Sequence, residues 1–540
     1  MSESRSNEQR TATRTAQRWI WTVTLCLAAT VALAQSAAPP SGAAQAPKSA
    51  QAPAEITPEQ ARRLFASVDE IMKFASSETG LPIKSQVTRQ LTSRAAVQKY
   101  LEEKFNDDKD AKRMERDEIV LKKFGLLDHD FALKPFLLAL LKEQIEAYYD
   151  AKTKTIYLLN WVDPDEQKPV LAHELTHALQ DQHVGLEKWD DQTPDDVSHT
   201  AAGDQKHLAK DEMDTARDAV VEGQATAVML DYILEPMGKS LIKDPEILGI
   251  VQQHMNTSNS PVMARAPLVL SESLLFPYRQ GLSFEQDVWR DEGRSVAFAG
   301  TLDRPPSSSW EIMNPHYYEQ HLIPPVPLLP NIHPLVDKLY RPYDIGQVGQ
   351  LDVHVLTKLF GGDQAARDLT PAWDGGLYWA GQLRSAKTPA EQDTTKSLAL
   401  FYLSVWKSAN SAQNFANLFT NNLGQEYSLL KPDQAAQASA PQVDGEVEQV
   451  FTTEEGPVVV TTRGRMVFVS ESFPLQLARK LTELVLDAQG VGDMRMALLA
   501  SPRPAIDQPA TEPLTAGLVR FFESCGVMKA AVDATLDAAR

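Results

Sequence analysis

The stretch Leu171-Ala172-His173-Glu174-Leu175-Thr176-His177-Ala178-Leu179-Gln180-Asp181-Gln182 decides how this chain is read, because it holds two histidines and a glutamate in HExxH spacing within a helical pattern. Residues four apart stand one above the other on a helix, so the imidazoles of His173 and His177 can converge on one metal ion, with the Glu174 carboxylate beside them. Leu171, Leu175, Ala178 and Leu179 supply an apolar stripe at the same period, which makes this a buried helix. Pro169 suits its first turn, where a missing N–H costs nothing, and Asp163-Pro164 offers either an Asx-type turn or an earlier start. The competing reading is a pair of hydrogen-bonded core histidines. A glutamate between them at this spacing favours the metal.

Catalytic zinc takes three protein ligands and leaves a fourth position for water, so two histidines call for one more His, Glu or Asp. The next long helical pattern runs from Asp211 to Leu234, with Met213, Ala216, Val220, Val221, Ala225, Val228, Met229 and Ile233 covering more than one face. Such a helix is deeply buried. Glu222 inside it needs charge compensation, which a metal would supply, so Glu222 is the expected third ligand. Gly223 beside it permits close approach of another backbone. His183, His199 and His207 are rival ligands; they occupy or border a polar stretch, Glu187 to Gln205, that reads as a loop.

With 540 residues, 43% hydrophobic and 23% charged, the chain has the composition of a globular protein long enough for two or three domains. A net charge of −19 and the absence of a Lys/Arg-rich run argue against a nucleic-acid partner. Arg5, Arg10, Arg14 and Arg18 precede an uncharged apolar run, Trp19 to Leu33, that ends in the small-x-small pattern Ala32-Leu33-Ala34. This reads as an export signal, residues 1–34, cut after Ala34 to give a periplasmic or secreted protein without a membrane span. An uncleaved anchor is the competing reading, but it needs a longer apolar span, about 20 residues. Of the two cysteines, Cys26 leaves with the signal and Cys525 remains, so the mature chain has no intramolecular disulfide.

Residues 35–54, rich in Ala, Pro and Ser, read as a flexible linker. Thr57-Pro58-Glu59 then opens a helix to about Ser77, Ile83 to Leu91 alternates as a strand, and helices follow to Phe105, over 107–124 and over Pro135 to Ile145. Ala147 to Leu159 is a hairpin directly before the HExxH helix. Its second strand, Thr155 to Leu159, has the place of a sheet edge that binds an extended substrate through main-chain hydrogen bonds, with a plain structural hairpin as the alternative. Residues 235–345 read as short helices and irregular chain wrapping the metal helices. They contain Tyr278, His254, His316 and Tyr317, each able to donate a hydrogen bond to a developing oxyanion. Residues 346–540 form a C-terminal α+β region: a helix over Leu351 to Phe360, a turn at Trp373 to Gly376, strands over 377–383, 398–406, 447–453, 458–462 and 466–469, a loop over 431–442, and a helix from Pro474.

HELTHALQDQH followed by AVVEGQAT resembles the gluzincin zinc metallopeptidases, and more closely a group of exported bacterial and archaeal proteins bearing the string HELTHALQDQ. EAYYDAKTKTIYL, LFPYRQGLSF, PPSSSWEIMNPHYY and WDGGLY extend the resemblance over residues 90–420. It implies an α+β, mainly helical fold with a zincin-like core over residues 55–345, in which the HExxH helix, preceded by the hairpin, packs on the helix that carries Glu222. It also implies one zinc held by His173, His177 and Glu222, with Glu174 as general base, acting on a peptide or protein substrate. Where many gluzincins have an Asp four residues past the ligand Glu, orienting a ligand His, this chain has Thr226; Asp218, one turn earlier, is the possible substitute. Two other functions fit the same residues: an exported binding or scaffold protein with a structural or degenerate zinc site, and a zinc hydrolase of non-peptide substrates.

Overall fold

Thr57 accepts a hydrogen bond from Gln60 N while Gln60 Oε1 accepts from Thr57 N, a capping box that starts the first helix, α1 (Pro58–Thr79), as its sequence predicts. The computed structural model describes residues 55–105, 108–143, 147–189, 197–255 and 260–490. The export signal and linker expected over 1–54 lie outside these residues. α1 is followed by β1 (Thr88–Thr92), α2 (Arg94–Phe105), α3 (Asp108–Lys123) and α4 (Leu133–Glu143). The strand expected from Ile83 starts only at Thr88, because the Lys84 and Ser85 amides donate to the side chain of Gln182 instead of to a neighbouring strand.

The expected hairpin is present as β2 (Tyr148–Asp150) and β3 (Thr155–Leu159), with β1 added parallel to β3 in the order β1-β3-β2. This corrects the role drawn for Thr155 to Leu159. β3 is the central strand with both edges paired, so no extended substrate can add to it. The outer position on that side belongs to β2.

The HExxH helix, α5 (Pro164–Val184), takes the earlier of its two possible starts: Asp163 caps it by accepting from Asp165 N, and Pro164 sits at the first position. Pro169 therefore lies inside the helix, where it removes one backbone bond. Gly185, at φ 72°, ends the helix. The polar stretch that follows is not all loop. It contains a one-turn helix, Leu186–Trp189, and α6 (Ala201–Leu208), capped by Thr200 and buried through Asp204, His207 and Leu208. α7 (Met213–Leu234) is buried along nearly its whole length and packs on α5.

Helical structure also replaces much of the irregular chain expected before residue 345. After α8 (Glu246–Met255) come α9 (Leu268–Phe276), a π-turn at Pro277–Gly281, α10 (Leu282–Glu292) and a second π-turn at Val296–Gly300. α9 carries Ser271-Glu272-Ser273 between its apolar ends, shows no helical stripe and runs into Pro277. In the molecule the chain widens to a π-turn there and continues, since a proline cannot donate the ordinary helical bond.

The C-terminal region is built on an antiparallel seven-stranded sheet of β4 (Tyr340–Gln347), β5 (Trp373–Leu383), β6 (Leu398–Trp406), β7 (Leu430–Pro432), β8 (Glu446–Thr453), β9 (Gly456–Arg463) and β10 (Met466–Glu471). Their order is β4-β5-β6-β10-β9-β8-β7. Three helices accompany it: α11 (Gln350–Leu369), α12 (Ala409–Glu426) and α13 (Leu475–Asp487). Trp373 to Gly376 is a bulge within β5 and not a turn, and the stretch 431–442 holds the end of β7 and a short helix, Gln434–Ala438. Period-two alternation sends Tyr378, Ala380, Leu400, Tyr402, Val458 and Val460 into a core shared with α1, α5 and α7. Leu377, Trp379, Phe401, Leu403 and Val459 face a second core under α13. β6 is buried on both faces, which explains its unbroken apolar run. The fold is mixed α+β and mainly helical.

Candidate metal centre

His173 and His177 point the same way from α5, as their spacing requires, and their Nε2 atoms lie 2.9 Å apart. Glu222 on α7 meets both: its Oε2 is 3.0 Å from His173 Nε2 and its Oε1 is 3.4 Å from His177 Nε2. Ligands about 2.0–2.1 Å from a tetrahedral zinc stand about 3.3 Å apart, close to these separations. His173, His177 and Glu174 by themselves form a buried group whose ligand atoms lie within 4.8 Å of one another and can hold a metal ion. Glu222 completes the donor set that the sequence predicts.

The electrostatics ask for a cation. Burial holds the His173 imidazole down at about 3 and that of His177 at about 4, although Glu222 pulls the latter upward. Burial also pushes the Glu222 carboxyl well above the usual carboxylate range, against the opposing pull of His177 and of the Tyr278 hydroxyl. Without a compensating ion these groups are thus driven to their neutral forms. Neutral imidazoles are the metal-binding form, and a divalent ion between them would restore the charge on Glu222. Buried Glu222 Oε2 and His173 Nδ1 have no hydrogen-bond partner among the described residues. The donor set fits a metal.

Glu174 is held differently. Its Oε2 accepts a 2.8 Å hydrogen bond from the Tyr149 amide on β2, while the Tyr149 hydroxyl donates to Asp181 two turns further along α5. Lys154, in the hairpin turn at φ 52°, also pairs with Asp181. The hairpin before the HExxH helix therefore fixes the carboxylate that lies beside the two imidazoles.

Tyr278 is the one of the four expected oxyanion donors that the described structure brings to the centre. Its ring stacks on His173 with centroids 6.4 Å apart, and its buried hydroxyl opposes the upward shift of the Glu222 carboxyl. The first π-turn carries it there, pressed against α7 where Gly223 faces Gly281; a Cβ on Gly223 would come within 2.4 Å of the Gly281 backbone. Tyr317 stacks instead on Trp310, with His316 against it, and the side chain of His254 lies outside the described residues. None of the rival ligands is used here: His183 pairs with Asp303, His207 with Asp211, and His199 is exposed in the loop before α6.

His177 is oriented by Gln180, whose Oε1 lies 2.8 Å from His177 Nδ1. Gln180 in turn donates to Val221 O and to Gln224 Oε1. Neither glutamine is among the site residues that the sequence predicts. The available signal was an amide in each of two apolar helices, since a buried amide must find partners. Comparison with protein-family models, with curated proteins and with solved structures finds no match for this chain.

Proposed function

We propose that this chain is an exported zinc-dependent metallopeptidase with a zincin-like core, in which His173, His177 and Glu222 hold the ion and Glu174 is the general base. The observation that carries the reading is the convergence of two imidazoles from one helix and a carboxylate from a second on a single buried point. A further carboxylate is anchored beside that point by an edge strand. Bound there, zinc would polarise a water molecule and bring its pKa towards neutrality. Glu174 accepts the proton of the attacking water and passes it to the leaving amine. It lies about 100° around the helix axis from His173 and about 60° from His177, off the line on which the two imidazoles converge, so it is placed for proton transfer and not for ligation. The Tyr149 amide keeps one of its oxygens fixed during that transfer, and Tyr278, stacked on His173, offers a hydroxyl for a developing negative charge. The assignment to the exported class rests on residues 1–34. Among the described residues no helix is long and apolar enough to cross a membrane.

One observation favours a second reading, a structural zinc site in an exported scaffold protein: His173, Glu174, His177 and Glu222 are each at most 1% exposed. Zinc content and hydrolysis of a broad peptide panel, with and without chelator, separate the two. Glu174→Gln is expected to keep the zinc and lose about 10²–10⁴-fold in rate, the usual share of acid–base catalysis. Glu222→Gln is expected to lose zinc. A zinc-loaded parent that cuts no peptide supports the scaffold, and a Glu174→Gln variant of full activity removes Glu174 as the base.

A further inference from the structure

Behind His177 runs a line of buried amides whose direction is set at its far end. Gln224 Nε2 lies 3.0 Å from Ala297 O, 2.9 Å from Phe298 O and 2.8 Å from Thr301 Oγ1, at the second π-turn. Carbonyl oxygens only accept, so the Gln224 nitrogen must be the end that faces them, and its Oε1 must face back towards α5. There it accepts from Gln180 Nε2 at 2.9 Å, which also donates to Val221 O at 3.0 Å. Gln180 Oε1 is therefore left to face His177 Nδ1, at 2.8 Å. An amide oxygen cannot donate, so Nδ1 must carry the ring proton. His177 Nε2 is left as a bare lone pair directed at His173 and Glu222.

We infer that Gln180 and Gln224 are positioning residues that lock His177 in the Nδ1–H tautomer, so that the ring offers Nε2 to the metal without first exchanging its proton. The lock is one-sided. His173 Nδ1 has no hydrogen-bond partner among the described residues, so the relay distinguishes the two ligand histidines. Reversing either glutamine would place an amide nitrogen against a donor and an oxygen against a carbonyl. The buried cost of such a mismatch falls on Gln180, which is 0% exposed, and on Gln224, also 0% exposed. The line ends at the turn Val296–Gly300, so the tautomer of a ligand on α5 depends on backbone that follows α10.

This inference rests on the metal reading for its purpose but not for its test. In full-length zinc-free protein labelled with ¹⁵N-histidine, His177 is expected to show a protonated Nδ1 and an unprotonated Nε2. The opposite tautomer overturns the lock whether or not the chain binds zinc. Gln224→Met touches no ligand yet removes the donor that directs the line, and Gln180→Met removes the acceptor itself. Both are expected to give a mixed tautomer at His177 and to weaken zinc about 10–100-fold in competition with a chromophoric chelator, the usual effect of losing an outer partner. The thermal midpoints of the zinc-free variants show whether each is folded. Should either variant fail to fold, the tautomer of the parent still decides. A parent that binds zinc, with both variants binding it equally and keeping the parent tautomer, overturns the inference and leaves the metal reading standing. A parent that takes up no zinc but shows the Nδ1–H tautomer overturns the metal reading alone.

Discussion

Glu212, the residue before α7, shows how far burial moves a single group. Its Oε1 accepts from the Ser309 hydroxyl and lies against Gly349, and burial pushes its carboxyl up to about 8, against the opposing Ser309 bond. A carboxyl raised in the folded state stabilises the fold fully below its unfolded value near 4.5, and that contribution is lost as the pH rises towards 8. Glu212→Gln keeps the shape and removes the titration. The stability of the variant relative to the parent should therefore rise between pH 5 and pH 8, by at most about 1.4 kcal/mol per pH unit. Urea midpoints at several pH values check this; parallel curves for parent and variant would refute it. At the same scale the residues of the candidate site were legible because their cause is local: His173, Glu174 and His177 are one helical turn, and Glu222 is a charge inside an apolar pattern. Tyr149, Gln180 and Gln224 act through contacts made across the fold, so an amide in an apolar helix marks each glutamine as buried but does not say which group it meets.

The π-turn at Pro277–Gly281 is an element whose value lies in how closely it approaches α7. A Cβ on Gly281 would sit 2.0 Å from Ala219 O, so Gly281→Ala must push the turn away and carry Tyr278 from Glu222. The expected cost is about 1–3 kcal/mol, typical of an overpacked core. Gly249, on the exposed side of α8, has nothing within 4 Å of such a Cβ. Gly249→Ala should stabilise, by up to about 1 kcal/mol, through helix propensity alone. Thermal unfolding of the two variants therefore moves in opposite directions, and a Gly281→Ala protein as stable as the parent would show that the approach is not tight. Elements with a periodic stripe, such as α1 and β8 to β10, or with a long apolar pattern, such as α7 and β6, were readable from sequence. α9 was not, because Ser271-Glu272-Ser273 interrupts its apolar residues and leaves no stripe, and β4 was not, because Tyr340-Arg341-Pro342-Tyr343-Asp344 does not alternate like a strand.

At the scale of the molecule, the N-terminal helices and the seven-stranded sheet share one core, with β4 crossing the boundary expected at residue 346, and Lys123 ties the two together. It sits at the end of α3 with its side chain fully buried, and its ammonium donates to Glu455 at 2.8 Å, Ser472 at 2.8 Å and Tyr427 at 3.2 Å, three acceptors for three protons. The acceptors come from the sheet side: Glu455 from the turn between β8 and β9, Ser472 from the end of β10, and Tyr427 from the end of α12, where it donates to Glu471 at 2.5 Å. Burial raises the carboxyls of both Glu426 and Glu471 above the usual range, with Lys123 as the opposing cation. Lys123→Met removes that cation and, among the described residues, leaves the buried Glu455 carboxylate with the Thr395 hydroxyl as its side-chain partner, a loss expected to cost about 3–5 kcal/mol. Adding Glu455→Gln should recover part of it, because the uncompensated charge is then gone. If the core is shared, the damage cannot stay local. Amide exchange in α5 and α7 and in β5 and β6 should accelerate together in Lys123→Met, and urea unfolding should remain a single transition at a lower midpoint. Exchange that accelerates in the sheet while α5 and α7 keep the protection they have in the parent would mean that the metal helices fold as a unit of their own, and that Lys123 joins two domains instead of completing one.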